Sequence, residues 1–254
     1  MELSEQVVLV TGAARGVGRS VARAFAACGA GVVVNYRNSA DAAAELVRDI
    51  GADRAVEVRA DVTDPRQVGE LVELARERFG EPVTTVVNNA LADFRFNGDA
   101  RPRAENISWR DFGNQFDGSV RGALNTAQAA LAGMRERGAG RIINIGTNLF
   151  QNPIVPYHDY TAAKAALLSL TRTLAAELGP DGVTANMVSG GLLRTTDASA
   201  ATPPEVFDQI AASTPLRSVV TPEQFADVVL FFASPWARAV TGQNLIVDGG
   251  LVKG

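Results

Sequence analysis

One cysteine, Cys28, and one histidine, His158, leave this 254-residue chain without several common chemistries. A lone cysteine closes no disulfide within the chain, which fits an intracellular, cytoplasmic setting. Cys28 itself reads as a small apolar residue within the first helix. With no cluster of cysteines and histidines, no metal site is expected. A serine hydrolase would have to use His158, and no nucleophile elbow accompanies it. His158 reads instead as a polar neighbour of an active site, facing the substrate. No apolar run is long enough to span a bilayer, and Glu2 and Glu5 stand where a secretory signal would be basic. An excess of positive charge is also missing. The formal net charge is -4 and the pI about 5.2, which argues against a nucleic-acid partner. Asn106-Ile107-Ser108 has the form of a glycosylation sequon and is read as chance in a cytoplasmic protein.

What is present is an ordinary globular composition, 46 % hydrophobic and 20 % charged, in a chain long enough for one large α/β domain with a substantial core. Strand-like runs alternate with helical patterns. Gln6 to Thr11 reads as a buried parallel strand, and an Ala-rich helix runs on through Cys28. Further strands are expected at Val32–Asn35, Ala55–Val58, Val83–Asn88, Arg141–Ile145, Val183–Val188 and Asn244–Val247. Helices are expected at Ala40–Ile50, at Pro65–Phe79 with Asp64 as N-cap, over one long stretch Ser108–Arg137, and at Tyr157–Leu178 and Pro222–Phe232. Such alternation predicts a single doubly wound parallel sheet, Rossmann-type, with helices on both faces. No repeat or linker breaks it, so residues 1–254 read as one domain. Ligands in such folds bind beyond the carboxyl ends of the strands, and the stretches at Gly12, Asp61, Asn88, Thr147 and Gly190 all fall there.

Two stretches carry chemistry. Gly12-Ala13-Ala14-Arg15-Gly16-Val17-Gly18 follows the first strand and opens the first helix. Glycines there let the backbone approach a pyrophosphate, and the helix start offers free N–H groups. Taken alone, the same glycines also fit a simple tight turn. Tyr160 and Lys164 stand four residues apart in Asp159-Tyr160-Thr161-Ala162-Ala163-Lys164, on one face of a helix. A cation beside a phenol favours the phenolate, so the pair reads as a general acid/base in which Lys164 eases the proton off Tyr160. By itself this spacing also fits a surface helix with a tyrosine packed on a lysine stem.

Together the two ends resemble the classical short-chain dehydrogenase/reductase family, whose fingerprint is T-G-x-x-x-G-x-G followed about 145 residues later by Y-x-x-x-K. The resemblance continues at Asp61-Val62-Thr63, Asn88-Asn89-Ala90, Gly140-Arg141-Ile142-Ile143-Asn144-Ile145 and Val247-Asp248-Gly249-Gly250. It covers nearly the whole chain, and it implies a nicotinamide dinucleotide held by Gly12, Arg15, Gly16, Val17, Gly18, Arg37, Asp61, Val62, Asn88, Ala90, Tyr160, Lys164 and Thr195. The segment after the second strand, Asn35-Tyr36-Arg37-Asn38-Ser39, has no carboxylate to hold a ribose 2′-hydroxyl. Arg37 and Arg15 match family contacts to a 2′-phosphate, so NADP, as NADPH, is the expected cofactor.

The family's four catalytic residues are Asn, Ser, Tyr and Lys. Tyr160 and Lys164 match directly. The serine position, thirteen residues before Tyr160, holds Thr147, and the asparagine position holds Ser119. Threonine keeps a hydroxyl for a substrate carbonyl, and Ser119 is expected to hold a water behind Lys164. Pro-Gly after the sixth strand becomes Gly190-Gly191, which removes a φ restraint and is expected to loosen that turn. Residues from about 192 to 218 are expected to cover the substrate.

The activity implied is NADPH-dependent reduction of a ketone to a secondary alcohol, with a general look closest to 3-oxoacyl-[acyl-carrier-protein] reductases. The substrate would be a small carbonyl compound, presented free, on an acyl carrier protein or on coenzyme A. The alternatives are an NADP-binding regulatory or weakly active member of the fold, and a dehydrogenase of another secondary alcohol. Arg95, Arg101 and Arg103 would receive an acidic carrier or a carboxylated substrate, or else form a solvated loop. Apolar stripes on the helices bearing Ser119 (Phe112, Phe116, Val120, Ala123, Ala127) and Tyr160 (Ala163, Leu167, Leu170, Leu174), with the C-terminal end, imply a homotetramer by resemblance.

Overall fold

A computed structural model of the chain describes residues 1–91, 100–196 and 199–253. Seven strands form a parallel sheet in the order β3-β2-β1-β4-β5-β6-β7. They are β1 (Val7–Val10), β2 (Gly31–Tyr36), β3 (Ala55–Arg59), β4 (Thr85–Asn88), β5 (Gly140–Thr147), β6 (Val183–Gly190) and β7 (Asn244–Val247). The order reverses between β1 and β4, which pair from Val8↔Thr85 to Val10↔Val87. A crevice opens at such a reversal beyond the strand ends.

Helices cover both faces. They are α1 (Gly16–Ala27), α2 (Ala40–Ile50), α3 (Pro65–Phe79), α4 (Trp109–Phe116), α5 (Gly122–Arg137), α6 (His158–Leu178), α7 (Pro204–Ser213) and α8 (Pro222–Ala233). One core layer lies between the sheet and α1, α2 and α8, around Phe25, Leu46, Phe225 and Phe232. The other lies under α3, α5 and α6, around Leu71, Met134, Ile142 and Leu178. β1 is buried along its whole length, which is why its sequence is a continuous apolar run. No helix among the described residues is long and apolar enough to cross a membrane.

Local chemistry sets the helix ends. Asp64 Oδ1 accepts hydrogen bonds from the backbone of Arg66 and Gln67, Pro65 follows as the first helical residue, and Gly80 closes α3 in the left-handed region at φ 71°. Ser108 and Asp111 form a capping box that starts α4.

Three expectations need correction. The stretch Ser108–Arg137 is not one regular helix: a π turn, Asp117–Arg121, separates α4 from α5. There the Gly122 N–H reaches Asp117 O, five residues back. A Cβ on Gly122 would lie 2.8 Å from Val62 Cγ2, and Asn125 Nδ2 donates to Val62 O at 2.8 Å. The helix is therefore clamped to the loop after β3 just where it widens. Cys28 lies outside α1 as its C-cap and is exposed, not an apolar member of the helix. The segment expected to cover the substrate contains a helix not foreseen in the sequence, α7, whose Phe207 is buried beneath the Arg194 guanidinium, 5.2 Å from its ring centre.

Candidate active site

The glycine turn after β1 is built for a close approach. Gly12 and Gly16 have φ of 62° and 55°, a region that L side chains rarely adopt. A Cβ on Gly18 would lie 2.6 Å from both Asn89 Nδ2 and Gly12 O. Thr11 Oγ1 accepts from the N–H of Asn89 at 2.9 Å and of Ala90 at 3.0 Å. Asn89 Nδ2 donates back to Thr11 O at 2.9 Å, and Asn35 Oδ1 accepts from Gly12 N at 3.3 Å. The turn is thus tied to the ends of β2 and β4. Thr11, Asn35 and Asn89 were not among the expected site residues. Their signal is a polar side chain ending an otherwise apolar strand.

The N-terminus of α1, with Arg15 exposed as its N-cap residue and Val17 half-buried, faces outward from this cradle. A bare backbone and a helix start fit a pyrophosphate. Thr196 lies beside it, 3.7 Å from the place of a Gly16 Cβ, and Thr195 next to it is exposed. Around the far side of the crevice, Arg37 pairs with Asp61 Oδ2 at 3.8 Å, while Asp61 Oδ1 accepts from Thr63 N and Oγ1 at 2.9 and 2.8 Å. Val62 and Asn88 are buried and Ala90 half-buried along the same wall.

Asn88 belongs to a buried network. It donates to Asn144 Oδ1 at 2.8 Å and accepts from Thr126 Oγ1 at 2.7 Å. Asn144 in turn donates to Thr171 Oγ1 at 2.8 Å. Each polar group named here is partnered, so the network locks β4, β5, α5 and α6 into one arrangement.

Tyr160, Lys164, Thr147 and Ser119 come together at the carboxyl ends of β4 and β5. All four are buried, Tyr160 at 4 % and Lys164 at 2 % exposure. Burial pushes the Tyr160 phenol up to about 12, and the hydrogen bond from the Thr147 hydroxyl pulls it back down. Burial pushes the Lys164 ammonium down to about 8. This corrects the expectation that Lys164 makes Tyr160 acidic in this state. The ammonium lies 5.9 Å from the Tyr160 ring centre and donates to Ile145 O at 2.8 Å. Loss of water is the largest cause for both groups and drives each toward its neutral form.

Ser119 lies within the π turn. Among the described residues its Oγ has no hydrogen-bond partner. It faces a small pocket lined also by Thr11, Asn88, Ala90 and Lys164, with about 10 Å³ of room for water centres, the space of roughly one water. His158 is half-buried in the first turn of α6.

Gly190 and Gly191 do not form a slack turn. A Cβ would meet Phe225 Cε2 at 3.0 Å from Gly190, and Asn148 Nδ2 and Asp248 Cβ at 3.0 Å from Gly191. The glycines serve close packing. Arg101 is half-buried and Arg103 exposed ahead of α4; Arg95 and residue 198 lie outside the described residues.

The geometry agrees with three comparisons. Residues 12–252 match the family model described as enoyl-(acyl carrier protein) reductase. The chain belongs to the short-chain dehydrogenase/reductase family. It is 35 % identical to a short-chain type dehydrogenase/reductase of Picea abies, over 98 % of this chain and 93 % of that one. It is also 35 % identical to the 3-oxoacyl-[acyl-carrier-protein] reductase of Synechocystis, over 98 % of each. The crystal structure of a proposed gluconate dehydrogenase from Agrobacterium tumefaciens superposes with a TM-score of 0.88 at 29 % identity, covering 98 % of this chain and 97 % of that chain. Family members are oxidoreductases acting on CH–OH and C=O groups with nicotinamide cofactors, and the crevice described above suits that chemistry.

Proposed function

We propose that this protein is an NADPH-dependent reductase of ketones, with Tyr160 as the general acid. The observation that carries the reading is the burial of Tyr160 and Lys164 together, with the Thr147 hydroxyl bonded to the phenol, beside a bare glycine cradle. A reduced nicotinamide dinucleotide supplies hydride when bound there. The chain's own residues do the rest. Thr147 and Tyr160 hydroxyls converge on the carbonyl oxygen and stabilise the charge that develops on it. Tyr160 gives up its proton as the alkoxide forms. Lys164, drawn toward the phenol, replaces the proton that Tyr160 has given up, and a water held behind it by the unpartnered Ser119 Oγ passes a solvent proton back to Lys164. The covering segment, from about 192 to 218, excludes bulk water.

Arg37 and Arg15 support the NADP preference. Arg37 is already paired with Asp61, and Arg15 stands exposed at the N-cap position of α1, beside the glycine turn. Replacing Arg37 by Asp is expected to lower the preference for NADPH over NADH about a hundredfold, the loss of one charge-assisted phosphate clamp plus the gain of a repulsion. Fluorescence titration with each cofactor measures it, and an unchanged ratio would remove Arg37 from the site.

The name of the Synechocystis relative supports a 3-oxoacyl thioester as substrate class, with exposed Arg103 as a contact for an acidic carrier. The direct test is a panel of 3-oxoacyl thioesters, steroid and sugar ketones and one enoyl thioester, each followed by loss of NADPH absorbance. Turnover of the 3-oxo compounds with none of the enoyl compound is the expected result; turnover of the enoyl compound alone would overturn the assignment. We read residues 1–254 as one catalytic unit that assembles as a homotetramer. Exposed large apolar side chains support this: Trp109 on α4, Leu124 on α5, Phe231 on α8, Trp236 after it and Leu245 on β7.

A further inference from the structure

The segment that follows Thr147 is tied to the end of the chain. Asn148 Nδ2 donates to Asp248 Oδ2 at 2.8 Å, although the two residues are 100 positions apart. Both are buried, at 3 % and 6 % exposure. The rest of the carboxylate is filled by the tail. Oδ1 accepts from the N–H of Gly250 at 3.0 Å and of Leu251 at 2.9 Å, and Oδ2 also accepts from Val252 at 3.0 Å. A side chain with all these acceptor sites filled has one position available to it. Gly191 completes the junction, because a Cβ there would press on both Asn148 and Asp248.

The other side of Asn148 is the candidate active site. The β5–β6 ladder ends at Thr147↔Gly190. Past it, the turn at Asn148–Phe150 has no sheet partner. It is held by the Leu149 N–H on Thr147 Oγ1 at 3.3 Å and by Gln151 and Asn152 N–H on Asn148 O at 3.0 and 2.9 Å. All of these bonds are internal to the turn. Phe150 packs against the cluster of Ala123, Leu167 and Met187, and the Asn148–Asp248 hydrogen bond ties the start of the turn to the C-terminal tail. A hydroxyl that orients a carbonyl must be held to within about 0.5 Å.

We propose that Asp248 is a positioning residue: through Asn148 it fixes the turn that Thr147, the last residue of β5, caps, so that the C-terminal tail and the carbonyl-orienting hydroxyl behave as one unit. The inference rests on the reading of Thr147 given above. Its coupling half can be tested without any substrate.

Hydrogen exchange on the full chain reads the coupling. Asn148→Ala leaves all three tail N–H groups their acceptors, yet exchange at Gly250, Leu251 and Val252 is expected to rise. Asp248→Ala is expected to raise exchange at Leu149, Gln151 and Asn152, none of which touches residue 248. Unchanged exchange at the distant segment in both variants overturns the proposal, whatever the enzyme's activity. Turnover reads the positioning. Asn148→Ala is expected to lower kcat about tenfold while the KM for cofactor stays within about twofold. Asn148→Asp sets two carboxylates against each other and should lose more. Adding Asp248→Asn to it restores a donor–acceptor pair, and the double variant is expected to regain about half of the lost turnover. A double variant no more active than Asn148→Asp alone, or an unchanged kcat in Asn148→Ala, overturns the positioning role. If no ketone is reduced by the parent enzyme while the exchange coupling is present, the reductase reading fails and the coupling stands.

Discussion

Tyr160→Phe lowers ketone turnover by about 10³-fold and leaves NADPH affinity within about twofold, on the usual contribution of a positioned proton donor. The substitution keeps the ring that fills the space beside Lys164 and removes only the hydroxyl. Thr147 loses one hydrogen bond but keeps Leu149 N as a donor to its oxygen, and Lys164 keeps Ile145 O as its acceptor. The glycine cradle is held by Thr11, Asn35 and Asn89, none of which depends on residue 160. The loss therefore falls on kcat. Stability changes by no more than about 1 kcal/mol, the net worth of one hydrogen bond. Steady-state rates, a fluorescence titration of NADPH and a thermal melt separate these three quantities. Turnover near the parent value would remove Tyr160 from the mechanism.

Where the architecture was legible, identifiable residues made it so. Asp64, Pro65 and Gly80 punctuate α3 on both sides, and its bounds follow from them. Continuous apolar runs at Val7–Val10 and Ile142–Ile143 mark strands buried on both faces, and their alternation with helices implies the parallel sheet. The glycine turn and the Tyr160–Lys164 spacing are local patterns, so they too could be read. The π turn at Asp117–Arg121 could not, because the phase shift of one extra residue falls among small residues, Gly118, Ser119, Gly122 and Ala123, where the apolar stripe is too weak to register it. α7 was missed because alanines and serines dominate its neighbourhood, although Phe207 and Ile210 have helical spacing. The ionisation of Tyr160 and Lys164 was misjudged for a deeper reason. Spacing shows that two groups are near, but the cost of removing water from them depends on everything packed around them. The Asn148–Asp248 bond depends on two strand ends meeting across the fold, and no local pattern encodes it.

Lys164→Met should make the cofactor-free protein more stable at pH 7 while abolishing its activity. Lys164 is buried at 2 % exposure, its ammonium donates to the Ile145 carbonyl, and no carboxylate is paired to it among the described residues. Its pKa is pushed from 10.5 down to about 8, which corresponds to about 3 kcal/mol of cost for the charged form. Methionine matches the stem's shape and carries no charge. Leaving Ile145 O without this donor returns about 1 kcal/mol, so the net gain is about 2 kcal/mol, or about 4–8 °C in melting temperature for a chain of this size. The sign depends on pH in a definite way. Between about 8 and 10.5 the unfolded chain holds more protons than the folded one, so the parent protein gains stability as pH rises through that window. The advantage of Lys164→Met is therefore full below pH 8 and fades toward pH 10.5. Thermal melts of both proteins at pH 7 and pH 10 measure it. A variant that melts lower than the parent at pH 7 would mean that the ammonium is held favourably without cofactor. An ammonium that destabilises the empty fold is the kind of local cost that a catalytic site retains for function.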